Sequence, residues 1–143
     1  MTKKIDFSKS FNTVISAAIE RVAEKDMKWG EDDCSLWVCD IILEATGVDL
    51  AKPLRGKYDT KLGAYRLMRE FAGDELVHVA IKLAALAHLK PAFWPWKGAL
   101  VGVVVSESSP SLALFWNGKW IARSQTGIIR LPAFHGALAW RLA

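Results

Sequence analysis

The amino-acid sequence predicts an α+β domain, a helical N-terminal half packed on an antiparallel sheet of four or five strands. Apolar residues recur at spacings of three and four through residues 11–90, the period of a helix face. Runs rich in β-branched residues follow over residues 99–143, and Asn117-Gly118 lies between two of them. Helices grouped first and strands grouped afterwards argue for α+β rather than an alternating α/β order. A length of 143 residues suits one domain spanning the whole chain.

The first helix is expected from Phe11 to Lys25, with Phe11, Val14, Ile15, Ala18, Ile19 and Val22 on its apolar face. A second begins near Asp32 or Asp33, either of which can cap it, and ends at Gly47, a residue suited to the left-handed position past a helix. Its apolar face runs Cys34, Trp37, Val38, Ile41, Ile42 and Ala45. After a loop containing Pro53 and Gly56, Asp59 or Thr60 caps a third helix through Leu62, Tyr65, Met68 and Phe71, closed by Gly73. Asp74 can cap a fourth through Leu76, Val79, Ala80 and Leu83. Two prolines in the aromatic cluster Phe93, Trp94, Trp96 preclude a regular helix there. Strands are then expected at Leu100 to Val105, Ser111 to Trp116, Lys119 to Arg123, Gly127 to Leu131 and Ala137 to Arg141. Asn117-Gly118 tolerates the positive φ angles of a two-residue hairpin turn.

Composition excludes several classes. Hydrophobic residues make 52% and charged residues 24%, which argues against disorder and against collagen-like or coiled-coil sequence. No apolar run reaches the roughly eighteen residues of a membrane span. Met1-Thr2-Lys3-Lys4-Ile5-Asp6 lacks the apolar stretch of a secretion signal, so a soluble cytosolic product is expected. The net charge is +4, and from Leu76 onward seven basic residues accompany one acid, Glu107. With no zinc-finger spacing and no basic run interleaved with aromatics, no nucleic-acid partner is expected. Cys34 and Cys39, five apart on one helix, point to different faces, and their spacing suits neither a disulfide nor a Cys-x-x-Cys zinc site. No metal and no cofactor are expected.

The segment Trp29-Gly30-Glu31-Asp32-Asp33-Cys34-Ser35 places a thiol at the first turn of a helix. Backbone N–H groups and the helix dipole there favour a thiolate. Two arguments oppose that: Cys34 shares an apolar face with Trp37 and Ile41, and three acids before it repel a negative charge. On the residues alone the buried hydrophobe is the preferred reading. A cysteine hydrolase also needs a base, and the histidines are His78, His88 and His135. His78 and His88 belong to the fourth helix region; His135, between two strands, is the weak candidate. Arg55 and Tyr58 can wall a groove beside the Cys34 helix together with Trp29 and Asp33, Arg55 offering planar donors to a carboxylate. The preferred alternative is structural: Gly56 allows the turn, Thr60 caps, and Arg55 pins the loop to an acid. The cluster Phe93, Trp94, Trp96 and the hairpin residues Trp116 and Trp120 are expected in the core or on a sheet face. An exposed subset would form a protein-docking patch.

Trp29-Gly30-x-x-Asp33-Cys34, then Thr46-Gly47-Val48-Asp49, Arg55-Gly56-Lys57-Tyr58-Asp59-Thr60 and Gly63-Ala64-Tyr65-Arg66, with the ending Leu131-Pro132 through Ala139-Trp140-Arg141, resemble a family of uncharacterised proteins of tailed phages and prophages. That family in turn is similar to a divergent branch of the NlpC-type, papain-like cysteine peptidases, whose tail-associated members cut cell-wall peptides. The resemblance implies a papain-like domain with Cys34 at the nucleophile position. It also implies a base histidine opening the strand where Pro110 or Ser111 stands, an orienting polar residue near Ala122, and a Gly-Asp where Gly102-Val103 stands. Losing base and orienter removes on the order of a thousandfold or more in rate. The expected function is therefore a tail-tip or tail-assembly protein, a pseudoenzyme contacting tail-tip or hub proteins in the virion tail or the host cytoplasm during assembly. The alternative is an active endopeptidase or amidase on cell-wall peptide, with Cys34 attacking and His135 as base.

Overall fold

Four helices precede six strands in the computed structural model, which describes residues 7–73, 75–106 and 109–142. The hexapeptide read for a secretion signal, the cap candidate Asp74 and the acid Glu107 lie outside the described residues. The helices are α1 (Phe7–Val22), α2 (Cys34–Thr46), α3 (Lys61–Phe71) and α4 (Leu76–Leu86). The strands are β1 (Pro91–Ala92), β2 (Leu100–Ser106), β3 (Ser109–Trp116), β4 (Lys119–Ser124), β5 (Gly127–Pro132) and β6 (Gly136–Arg141), with a 3-10 turn at Ala133–His135.

Local signals place most boundaries. Asp33 caps α2 by accepting from the Ser35 and Leu36 amides, and Gly47 closes it at φ 79°. Thr60, rather than Asp59, caps α3 through the Gly63 amide. Helix α1 stops at Val22, three residues short of expectation, because Glu24 takes a left-handed conformation at φ 58°. At the start of α4 the cap position is held by Glu75, whose side chain makes no capping bond. Asn117 and Gly118 both have positive φ, 52° and 82°, and join β3 to β4 in the tight turn their sequence requires.

The sheet is antiparallel throughout, in the order β1-β6-β2-β3-β4-β5. Six strands replace the expected four or five, because Pro91 and Ala92 pair with Trp140 and Ala139 and begin the sheet before residue 99. Two residues are too few to show an alternation, and an edge position lets proline do without a donor. Gly102-Val103 lies inside the central strand β2, within the span expected from Leu100 to Val105; Gly98, at φ 76°, precedes that strand.

Strand alternation divides the core into two layers. Val101, Val103, Leu112, Leu114 and Ile121 face the helices, where α2 is buried nearly all round by α1, β3 and β4. Leu100, Val104, Ala113, Phe115, Trp120 and Ala122 form the opposite layer, built around a fully buried Trp120 whose indole N–H donates to the Ala133 carbonyl. Trp116 instead docks α1, donating to Asn12 and lying against Phe11.

Candidate functional site

The approach to α2 is held in place before the helix begins. The Met27 amide donates to the Gln125 carbonyl in the β4–β5 turn, and the Lys28 amide to Asp32 Oδ1. Beneath this loop lies Arg123 of β4, only 2% exposed. Its Nη1 donates to the carbonyls of Lys25, Ser124 and Gly127 at 3.1, 2.9 and 2.8 Å, and Nη2 meets Asp32 Oδ2 at 3.4 Å. Arg123 is not among the site residues expected from the sequence, where it is one of the seven basic residues after Leu76. The available signal was a lone cation in the apolar run Trp120-Ile121-Ala122-Arg123.

Asp33 is buried and its carboxylate is fully used. Oδ1 accepts from the Ser35 and Leu36 amides, while Oδ2 accepts from the Gly30 amide at 2.9 Å and the Tyr58 hydroxyl at 2.6 Å. The structure thus brings Asp33 and Tyr58 together at the head of α2. Trp29 leans on Tyr65 of α3, with ring centroids 6.4 Å apart. Arg55 turns to two acids, its Nη1 2.6 Å from Asp40 and its Nε 2.9 Å from Asp49, and so ties the loop after α2 back to that helix.

Cys34 occupies the first position of α2, partly buried. Burial pushes its thiol above the ordinary value, and the neighbouring Asp33 charge pushes it further the same way. The neighbouring Ser35 and Ser111 pull in the opposite direction without reversing the shift, although the bond made by the Ser111 hydroxyl is to the Leu112 carbonyl, at 3.2 Å. Ser111 is thus the residue of β3 that influences the thiol. The Ser35 hydroxyl is buried and has no hydrogen-bond partner among the described residues. Cys39, one turn further along, is wholly enclosed and held protonated by burial.

His135 lies in the turn before β6, where Nδ1 is 2.9 Å from the Val105 carbonyl and the ring packs on Phe134 at 4.7 Å. Ala122, where the resemblance implies an orienting residue, is packed in the Trp120 layer, on the face away from the helices. Arg123 is the polar residue of β4 bound to the loop ahead of Cys34.

The family described as "Domain of unknown function (DUF6950)" matches residues 8–142. The chain belongs to the DUF6950 family. Comparison with curated proteins and with solved structures gives no match.

In this DUF6950 protein the chemistry on hand is a largely protonated, partly buried thiol at a helix start. Among the described residues no group of three or more His, Cys, Asp or Glu side chains is placed to hold a metal ion. None of the described helices is long and apolar enough to cross a membrane.

Phe93 and Trp94 correct an expectation: they are 76% and 62% exposed rather than in the core. Trp96 is partly buried against Trp120, with ring centroids 6.0 Å apart.

Proposed function

We propose that this chain is a phage or prophage tail-associated protein, acting at the tail tip or in tail assembly. In this reading it keeps a papain-like, NlpC-type scaffold for protein contacts rather than for peptide cleavage. One observation carries the proposal: burial and Asp33 hold the Cys34 thiol protonated, and the β3 residue that acts on it is Ser111, one of the two positions, Pro110 or Ser111, where the resemblance to the NlpC-type peptidases implies a base histidine. A hydroxyl cannot take the thiol proton at neutral pH, and burial beside Asp33 keeps that proton in place. The same loops that would present a nucleophile are closed by structural bonds, Tyr58 on Asp33 and Arg123 under Asp32.

The working partners are tail-tip or hub proteins, met in the host cytoplasm during assembly or in the virion tail. The test is twofold. The purified chain and Cys34→Ala are each incubated with peptidoglycan fragments, and both should leave them intact. Tagged chain expressed from its native gene cluster should co-purify with tail-hub proteins. Peptide release by the wild type but not by Cys34→Ala would replace this proposal with the cysteine endopeptidase or amidase.

A further inference from the structure

Strand β1 covers only part of its neighbour. Pro91 and Ala92 pair with Trp140 and Ala139, after which the chain bends away, so residues 136–138 of β6 have no strand partner on their outer side among the described residues. Over this open edge lies a groove of about 620 Å³, lined by Phe93, Trp94, Trp96, Phe134, Leu138 and Trp140 among others. Phe134 is 73% exposed, comparable with Phe93 and Trp94. Large aromatic rings left in water around a concavity mark a contact surface, and an unpaired strand edge invites an added strand.

The charge around the groove selects among occupants. Lys90, Lys97 and Arg141 adjoin lining residues in the chain, are exposed, and have no carboxylate partner among the described residues. Residues 76–106 and 109–142 contain no Asp or Glu at all. A concave site beside a backbone edge fits an extended chain, which presents alternate side chains to a groove while its amides pair. A convex aromatic projection would instead fit a lipid surface.

We propose that the groove between Phe93, Trp94 and the open edge of β6 receives an extended segment of a partner protein, in which acidic residues alternate with apolar ones, added as a strand along residues 136–138. The apolar side chains enter between the aromatic rings and the acids meet Lys90, Lys97 and Arg141. This deepens the reading above by naming the surface through which contacts are made. It does not depend on where the protein works, so peptide binding without tail co-purification would separate the two.

The test uses a panel of fluorescein-labelled nonapeptides alternating Glu or Asp with Ile, Val or Phe, titrated with the full chain and followed by anisotropy. Members of the panel should bind saturably in the micromolar range, and their Lys-for-acid counterparts at least about tenfold more weakly. Trp94→Ser and Phe134→Ser, both at exposed positions, should each weaken binding about tenfold with the circular dichroism unchanged. Amide exchange at Ala137 should slow in the complex. Failure of the whole panel, equal binding of the Lys peptides, or indifference to Trp94→Ser would overturn the proposal. So would recruitment to phosphatidylglycerol vesicles, or a dimer in sedimentation that Trp94→Ser dissolves, in place of peptide binding.

Discussion

The Tyr58 hydroxyl donates to Asp33 Oδ2 over 2.6 Å, joining the loop before α3 to the residue that caps α2. The same oxygen accepts the Gly30 amide, so one carboxylate holds three segments of backbone in register. Tyr58→Phe keeps the ring and removes the donor. It should cost about 1.5–3 kcal/mol, the range for a hydrogen bond to a charged group, read as a lower urea midpoint at unchanged slope.

Stability should fall in alkali. Burial, first among the causes, holds the protons of Cys34, Cys39 and Tyr58 more tightly in the folded chain, and the bond to Asp33 adds to the effect for Tyr58. A group whose folded pKa lies above its unfolded value stabilises fully below the unfolded value and loses that contribution as pH rises beyond it. With unfolded values of about 8.5 for thiols and about 10 for tyrosine, urea midpoints should decline from about pH 8.5 upward and more steeply above about pH 10. Tyr58→Phe should flatten the second part of that decline.

The thiol at position 34 should be a slow nucleophile. Iodoacetamide labelling of the native protein, followed by mass spectrometry, should be slower at pH 7 than for a free cysteine and should accelerate only well above pH 8.5, since burial and Asp33 both disfavour the thiolate. Cys39, wholly enclosed, should label only on unfolding. Ser111→His would set an imidazole beside the sulfur and should raise the Cys34 rate at pH 7 on the order of tenfold. No change with Ser111→His would mean that β3 does not present position 111 to the thiol.

The Trp120 layer tolerates no added bulk. A Cβ at Gly136 would stand 2.7 Å from Trp120 Cζ2 and 2.8 Å from Trp96 Nε1, both inside a packed layer. Gly136→Ala should therefore cost about 1–3 kcal/mol and lower the thermal midpoint by several degrees. It should also shift tryptophan fluorescence, because the two indoles must separate.

Arg123 carries the loop ahead of Cys34 on its guanidinium. Arg123→Met leaves three carbonyls and Asp32 without that donor, and should destabilise by about 1–3 kcal/mol, the range for acceptors left unsatisfied. Arg123→Lys, with one compact head in place of a planar fork, should recover only part of that loss in the same urea titration.

Four of the features that build the site were legible in the sequence because they act within a few residues. Asp33 reaches the amides of Ser35 and Leu36, Thr60 that of Gly63, Gly47 closes its own helix, and Asn117-Gly118 sets its own turn. Arg55 likewise finds Asp49 only six positions away. Helix period and strand composition then separated the two halves of the chain, since side-chain direction repeats with the backbone.

Amino-acid order alone therefore narrowed the caps of α2 and α3 to two candidates each and determined the turn, the α+β division and the thiol at a helix start, all of which follow from torsion angles and short spacings. Only packing decided that Ser111 meets Cys34, that Arg123 lies beneath the loop before it, and that Phe93 and Trp94 stay in water while Trp120 fills the outer layer. These relations join residues far apart in the chain. They depend on how α2 lies across β3 and β4 and on which side chain first fills the space above the sheet, and no local period encodes either.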